Sequence, residues 1–160
     1  MNYEISMIVK DKPFAELTSY DGKQKIRIYV ISRESNHEDW YMNFIQINMN
    51  GINAHIQDPA IMGTELQMFK DEIDEMLRGD SKEASTGFAE PILNIFFEQT
   101  EESNLFFVEG GLMSVKFGKL NDVQKHSKGE LKFEFYTKTE NIRRFSTSIG
   151  EILVKYPPII

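Results

Sequence analysis

Clustered carboxylates are the side chains of this sequence whose type and spacing come closest to a chemical site. Asp71, Glu72, Asp74 and Glu75 fall within one short stretch. Carboxylates held this close raise one another's pKa, which can prepare a general acid or base. The same stretch is also typical of the polar side of a helix, where water surrounds and screens such groups. A solvated acidic face is therefore the favoured interpretation, and no acid–base pair is predicted.

The three histidines do not predict a metal site. The stretch His37–Asp39 holds three adjacent ligand types, but neighbours in a strand point to opposite faces, and in a loop they would need further ligands. A solvated loop is predicted there. His55 is expected to form a cross-strand hydrogen bond with Gln46, and His126 lies among lysines in a polar loop. No two histidines have the i, i+4 spacing of a helical zinc site.

Motifs of covalent and phosphate chemistry are also missing. Gly110-Gly111 is not followed by the Lys-Ser/Thr pair of a phosphate-binding loop and does not connect a strand to a helix. No Gly-x-Ser-x-Gly nucleophile elbow occurs. The sequence contains no cysteine, which excludes thiolate chemistry and disulfides. We predict no catalytic residue, no metal, no cofactor and no enzymatic activity.

Negative charge is the most informative bulk property. The formal net charge is −7, and residues 65–102 alone carry 11 acidic and 3 basic side chains. Nucleic-acid binding requires the opposite sign, so a basic protein partner is favoured, with solubility as the simpler alternative. The residues predicted to bind that partner are Asp71, Glu72, Asp74, Glu75, Asp80 and Glu83.

The elements that position these residues include a hairpin centred on Asn50-Gly51. Asn-Gly favours a two-residue turn because both central residues need positive φ. Such a turn pairs every apolar residue with an apolar one, and a slip of one residue would destroy the pattern. The predicted cross-strand pairs are Met49–Ile52, Asn48–Asn53, Ile47–Ala54, Gln46–His55 and Ile45–Ile56.

Two amphipathic helices are predicted, at about 64–78 and 139–156. Each has apolar residues that repeat at helical spacing and form one face. Capping boxes are predicted at 64–67 and 137–140, and Gly79 is expected to end the first helix. The predicted apolar faces are Leu66, Phe69, Ile73, Met76 and Leu77 in the first helix and Ile142, Phe145, Ile149, Ile152 and Leu153 in the second.

Alternating apolar residues predict strands over most of the remaining chain. Residues 3–9 are predicted as the first strand, Asp58-Pro59 as the end of the second hairpin strand, and residues 80–87 and 119–129 as polar loops. Gly110-Gly111 forms either a tight turn or, as we favour, a bulge. The fold class is α+β, with a curved antiparallel sheet of about seven or eight strands and both helices on one side or end. Residues 1–160 are expected to form a single domain.

The order of several short motifs resembles the bacterial WapI-family immunity proteins. The resemblance runs over about residues 39–158. It rests on Asp39-Trp40 before an alternating strand, on Asn50-Gly51, on Thr64-Glu65-Leu66 with Phe69, on the strands 93–97 and 108–115, and on a final strand, helix and Tyr156-Pro157. It implies a cytoplasmic antitoxin that binds the toxic C-terminal domain of a contact-delivered polymorphic toxin, often a nuclease, and protects the producing cell.

A different function remains open from the residues themselves. The amides Gln46, Asn48, Asn53 and Gln57 could form a carbohydrate- or small-ligand-binding sheet face with Tyr41 and Phe44. Neither interpretation involves a membrane, because no apolar run approaches the roughly 20 residues that span a bilayer. The N-terminal residues have no basic segment followed by an apolar run, so no signal peptide is expected and a cytoplasmic location is predicted.

Overall fold

The computed structural model describes residues 3–35, 37–117 and 129–160, with only the backbone of residues 114–117. This part of the chain contains eight antiparallel strands and three helices, which confirms the predicted α+β class. The helices are α1 (Tyr3–Val9), α2 (Gly63–Arg78) and α3 (Thr139–Lys155). The strands are β1 (Phe14–Thr18), β2 (Lys25–Arg33), β3 (Trp40–Met49), β4 (Ile52–Met62), β5 (Glu83–Ser85), β6 (Leu93–Gln99), β7 (Leu105–Phe117) and β8 (Gly129–Lys138).

The sheet consists of two antiparallel groups of strands that meet at β7. Strands β1 to β4 pair in sequence order. In the second group β5 pairs with β6, and β7 lies between β6 and β8. The end of β7 pairs with β4, Ala54 opposite Phe117 and His55 opposite Lys116. The long β7 strand therefore joins the hairpin half of the fold to the half that follows α2.

The predicted hairpin is confirmed in every cross-strand pair. Met49 lies opposite Ile52 and Ile45 opposite Ile56, with the three intervening pairs in the predicted register. Asn50 and Gly51 have φ of 50° and 82°, the left-handed conformation that this turn requires. Local turn chemistry and alternating hydrophobicity therefore determine this register.

Helices α2 and α3 share the main hydrophobic core with one face of the sheet. Their apolar faces are those predicted: Phe69 of α2 contacts Phe97 of β6 and Phe145 of α3, each at 6.1 Å between ring centroids. Gly79 ends α2 with φ of 84°, as predicted. The two helices pack against each other and leave the opposite side of α2 facing solvent.

The predicted first strand is wrong, because residues 3–9 form α1. Ile5 and Val9 are buried against Tyr29 and Phe44 on the second face of the sheet. Met7, which a strand would place on the same side as Ile5 and Val9, is 59% exposed. A spacing of four residues puts two side chains on one helix face, so the alternating pattern also fits a short helix.

The predicted end of β4 at Asp58-Pro59 is also wrong, because β4 continues to Met62. Pairing with β3 is irregular here: Pro59 lies opposite Met42 and Ile61 opposite Tyr41. Proline lacks an N–H and is tolerated in a strand at such an irregularity. The side chain of Asn43 accepts a hydrogen bond from the Ile61 N–H at 3.0 Å and so satisfies a donor at the bulge.

Both predicted capping boxes are wrong: the first lies two residues earlier, and the second is not formed. Helix α2 begins at Gly63, and the Glu65 carboxylate accepts the Met62 N–H at 3.1 Å. Helix α3 begins at Thr139 with no side-chain cap. The hydroxyl of Thr137 instead donates to the Thr18 carbonyl at 2.6 Å, because β1 lies within its reach.

Two loop predictions need correction. Residues 80–87 are not wholly a loop, because they include β5. Gly110 and Gly111 form neither a turn nor a bulge: they remain in register with β6 and β8 inside a continuous strand. The register shift in β7 lies further on, between Met113 and Val115. The predicted loop at 119–129, with His126, falls outside the described residues except for Gly129, which begins β8.

Candidate partner-binding surface

Helix α2 presents most of its carboxylates to solvent. Its buried residues are those of the core face, so Asp71, Glu72 and Glu75 lie on the outer side and are exposed. Asp71 accepts a hydrogen bond from Gln67 at 2.9 Å, one turn earlier. The structure therefore brings three of the six predicted partner-binding residues together on one helix surface.

Asp74 has a different environment from its neighbours. Its carboxylate accepts hydrogen bonds from Lys70 at 2.6 Å and from the Ser146 hydroxyl of α3 at 2.5 Å, and its side chain is 33% exposed. Burial raises the pKa of Asp74, but the hydrogen bonds from Lys70 and Ser146 outweigh burial and hold this pKa below its usual value. Asp74 thus links the two helices, and its role in partner binding stays a prediction.

Asp80 and Glu83 extend the acidic surface beyond the end of α2. Asp80 pairs with Arg78 at 3.1 Å, and both side chains are exposed. Glu83 is exposed on β5, directly opposite Glu98 of β6. The carboxylate of Glu72 accepts the Ser85 N–H at 2.9 Å and ties β5 to α2. Acidic side chains therefore continue beyond α2 onto β5 and β6.

A second group of acidic residues contains only one of the predicted site residues, Glu83. Two neighbouring cross-strand rows of outward-facing side chains on β5 to β8 mix carboxylates with aromatic rings, and the row beyond them contains Lys132. We call this surface the outer sheet face; its residues are Glu83, Glu98, Phe107 and Tyr136 in one row and Phe96, Glu109 and Glu134 in the next. Glu109 and Glu134 do not stand out in the sequence, because residues 103–160 contain more basic than acidic side chains.

The potential metal ligands are not grouped in the structure. Within residues 3–35, 37–117 and 129–160, no three histidine or carboxylate side chains come together in a way that could hold a metal ion. His37 and Glu38 are exposed, as expected of a solvated loop, whereas Asp39 is hydrogen-bonded inside the fold. His55 lies opposite Gln46 as predicted, but is only 3% exposed and stacks on Phe44 at 5.5 Å.

The aromatic residues of the proposed carbohydrate-binding face are not available to a ligand. Tyr41 and Phe44 are both 0% exposed. They also belong to different clusters, Tyr41 to the main core and Phe44 to the cluster under α1, on opposite faces of the sheet. The amide row therefore lacks the exposed rings on which a sugar would stack.

Comparison with known proteins identifies one family. The model of the immunity protein WapI-like family matches residues 16–157, so the match begins within β1 and ends just after α3. No curated protein and no solved structure is significantly similar to the chain. Among the described residues, the helices are too short or too polar to cross a membrane.

Proposed function

The chain belongs to the WapI-like immunity protein family, and we propose that it is a cytoplasmic, non-enzymatic antitoxin that neutralises a toxin domain by binding it. The family match, which covers most of the chain, carries this proposal. An immunity protein acts by occupying or distorting its toxin, so it needs a recognition surface and no reaction chemistry of its own. The toxin domain is the partner that this membership implies.

The distribution of charge supports a basic toxin domain as the partner. Residues 65–102 hold a large acidic excess, and the structure exposes much of it on α2 and β5. A nuclease toxin must carry a positive groove for its substrate, and an opposite charge on the antitoxin accelerates encounter and favours the correct orientation. We assign Asp71, Glu72, Asp74, Glu75, Asp80 and Glu83 to this acidic surface.

Co-expression with a toxin tests the proposal directly. The toxin to be tested is the C-terminal domain of any polymorphic toxin whose gene adjoins the gene of this chain. It is expressed from an inducible promoter in a sensitive bacterial host. We expect survival of cells that also express this chain and co-purification of the two proteins in a stable complex. A toxin domain from an unrelated polymorphic system is the control for specificity, and it should still kill.

A binding-deficient variant separates neutralisation from any effect on toxin expression. Replacing all the exposed carboxylates of α2 and β5 by their amides keeps side-chain shape and removes negative charge. We expect weaker protection by this variant at equal toxin levels, with an unchanged circular dichroism spectrum. Death of cells expressing the wild-type chain, together with no complex by size-exclusion chromatography, would refute the antitoxin function.

A further inference from the structure

The outer sheet face combines exposed aromatic rings, opposed carboxylates and a hollow on one uncovered surface. We propose that this face is where the chain holds its partner, and that the partner presents lysine and arginine side chains to it. The carboxylates on the outer side of α2, which packs on the other face of the sheet, lie outside this contact and add only to the long-range attraction. The identity of the partner as a toxin domain rests on the proposed function, whereas the location of the docking face rests on the observations below.

Aromatic residues supply the anchor of the proposed contact. The rings of Phe107 and Tyr136 lie 5.4 Å apart across β7 and β8, and Tyr136 is 52% exposed. Phe96 is half-buried in the neighbouring row. Rigid aromatic side chains of this kind often provide most of the binding energy at the centre of a protein interface, surrounded by polar groups.

Opposed carboxylates identify the charge of the partner. Glu83 lies directly opposite Glu98, and Glu109 directly opposite Glu134. Like charges in this arrangement destabilise an isolated sheet. In the parts of the chain that the structure describes, the ion pairs involve other carboxylates. A cationic side chain placed between each opposed pair would remove the repulsion, so the repulsion favours a basic partner over a neutral one.

A hollow beside these pairs can admit a long basic side chain. It has a volume of about 480 Å³, and its lining includes Phe96, three carboxylates and one basic side chain, that of Lys132. Its floor is formed partly by Gly111, which has no side chain, while Glu130 lies nearby. Lysine and arginine can place their aliphatic stems against an aromatic ring and their charged ends beside carboxylates.

A second cavity continues the surface past the edge of β8. It has a volume of about 570 Å³ and contains Tyr136 together with Tyr20, Asp21 and Glu102. Tyr20 is 60% exposed. Two aromatic side chains and two carboxylates here repeat the chemistry of the outer sheet face, so the partner surface should be broad and basic. Carboxylates outnumber the lysines Lys132 and Lys138 at these two places, so their net charge disfavours a nucleic acid.

Matched double variants test the location. Glu109→Gln/Glu134→Gln alters the outer sheet face, and Asp71→Asn/Glu75→Gln removes the same charge from α2. With the toxin domain, we expect the sheet variant to dissociate about tenfold faster. We expect the helix variant to associate a few-fold more slowly with an unchanged dissociation rate. Stopped-flow and surface plasmon resonance measurements give the two rate constants separately.

The melting temperature is a second measurement, and it shows whether a variant binds weakly only because it is misfolded. Because Glu109→Gln/Glu134→Gln removes a repulsive pair, its melting temperature should rise by about 1–3 °C while binding weakens. If both double variants dissociate from the toxin at the wild-type rate, the proposed docking face is wrong and the antitoxin function stands. Faster dissociation of the helix variant alone would place the contact on α2, and the proposed docking face would again be wrong.

A test without the toxin keeps the two proposals separate. The ¹⁵N-labelled chain can be titrated with a deca-lysine peptide in low-salt buffer and followed by amide chemical shifts. Shifts concentrated in residues 93–113 and 130–138 support the docking face even if the wild-type chain fails to neutralise its toxin. Shifts confined to α2, or spread evenly over the acidic residues, would overturn it.

Discussion

Asp39 connects three distant parts of the chain through one carboxylate. It accepts hydrogen bonds from the Thr64 N–H and hydroxyl, each at 2.7 Å, and from the Ile159 N–H at 2.9 Å. Arg33 lies 3.6 Å away, and the Asp39 side chain is only 10% exposed. The first turn of α2, the end of the chain and the entry to β3 are therefore held at one point.

The residues around Asp39 are closely packed. A Cβ on Gly63 would lie 2.6 Å from both the Asp39 carboxylate and the Tyr41 hydroxyl, so only glycine fits there. The Tyr41 hydroxyl donates to the Tyr156 carbonyl at 2.5 Å, and burial raises the pKa of Tyr41 to about 12. These contacts fasten the segment after α3 to the sheet.

Ionised Asp39 should stabilise the fold in a pH-dependent way. Burial raises the pKa of Asp39, but hydrogen bonds from Ile159 and Thr64 and the charge of Arg33 lower it further, so the folded pKa lies below the usual value. A carboxyl whose pKa is lower in the folded state contributes stability above its unfolded pKa, roughly 3.9. That contribution is lost as the pH falls through the folded pKa.

We therefore expect Asp39→Asn to destabilise the protein by about 2 kcal/mol at pH 7, because an amide cannot accept all these hydrogen bonds or balance Arg33. The variant should also show a weaker loss of stability between about pH 5 and pH 2 than the wild-type chain does. Urea unfolding at several pH values measures both effects. The control is Asp80→Asn at a side chain that is 63% exposed, where a change within about 0.5 kcal/mol is expected. Equal effects at the two positions would contradict the role assigned to Asp39.

The role of Asp39 could not have been predicted from its neighbours in the sequence. The acidic stretch at 37–39 predicts a solvated loop, which is correct for His37 and Glu38. Asp39 differs because its partner Ile159 is 120 positions away, and a local pattern contains no information about that contact. The same limitation applies to Thr137, whose hydroxyl donates to the distant Thr18 carbonyl of β1 and accepts a hydrogen bond from the Asn141 side chain of α3.

Long periodic patterns of apolar residues were sufficient to predict helices and strands, whereas short patterns were not. The predicted hairpin and the apolar faces of α2 and α3 are correct because several residues specify the same arrangement. Helix α1 has only 7 residues, and its apolar spacing fits a strand as well as a helix. Packing of Ile5 and Val9 on Tyr29 and Phe44 determines the outcome, and this is a tertiary effect.

Strand β7 shows why two adjacent glycines can have different roles. A Cβ on Gly110 would lie 2.0 Å from the Asn94 carbonyl oxygen and 2.8 Å from the Phe133 ring. A Cβ on Gly111 would be 3.4 Å from its nearest neighbour, the Leu131 carbonyl oxygen, which is an ordinary contact. Gly110 is thus required by close approach of the neighbouring strand, whereas Gly111 leaves the outer sheet face open.

This difference predicts that Gly110→Ala destabilises the fold by about 3 kcal/mol or prevents folding, because backbone and a buried ring must move. Gly111→Ala should change stability by less than about 1 kcal/mol, since the added methyl group has room. Thermal unfolding of the two purified variants, compared with wild type, measures the difference. Similar melting temperatures for both variants would show that β6 and β7 are not as close as the structure places them.

The molecule keeps its apolar side chains and its carboxylates in separate places. Apolar side chains from both groups of strands, α2 and α3 form one continuous core. The carboxylates lie outside this core on α2, β5 and the outer sheet face, although the sequence distributes them between segments of opposite net charge. The acidic helix could be predicted from the sequence, whereas the contribution of Glu109 and Glu134 becomes visible only in the strand register.

A molecule arranged in this way should find a basic toxin domain by long-range attraction. With a net charge of −7, the association rate constant should fall by about tenfold or more between roughly 0.05 and 0.5 M salt, because salt shortens the range of the field. The dissociation rate constant should change much less, because the charges in contacts already formed are partly buried and salt ions reach them less easily. Stopped-flow mixing with the toxin domain across this series measures both constants, and potassium chloride and sodium chloride at equal ionic strength serve as controls for ion-specific effects. An association rate that is independent of salt would mean that the acidic surface contributes to solubility and not to recognition.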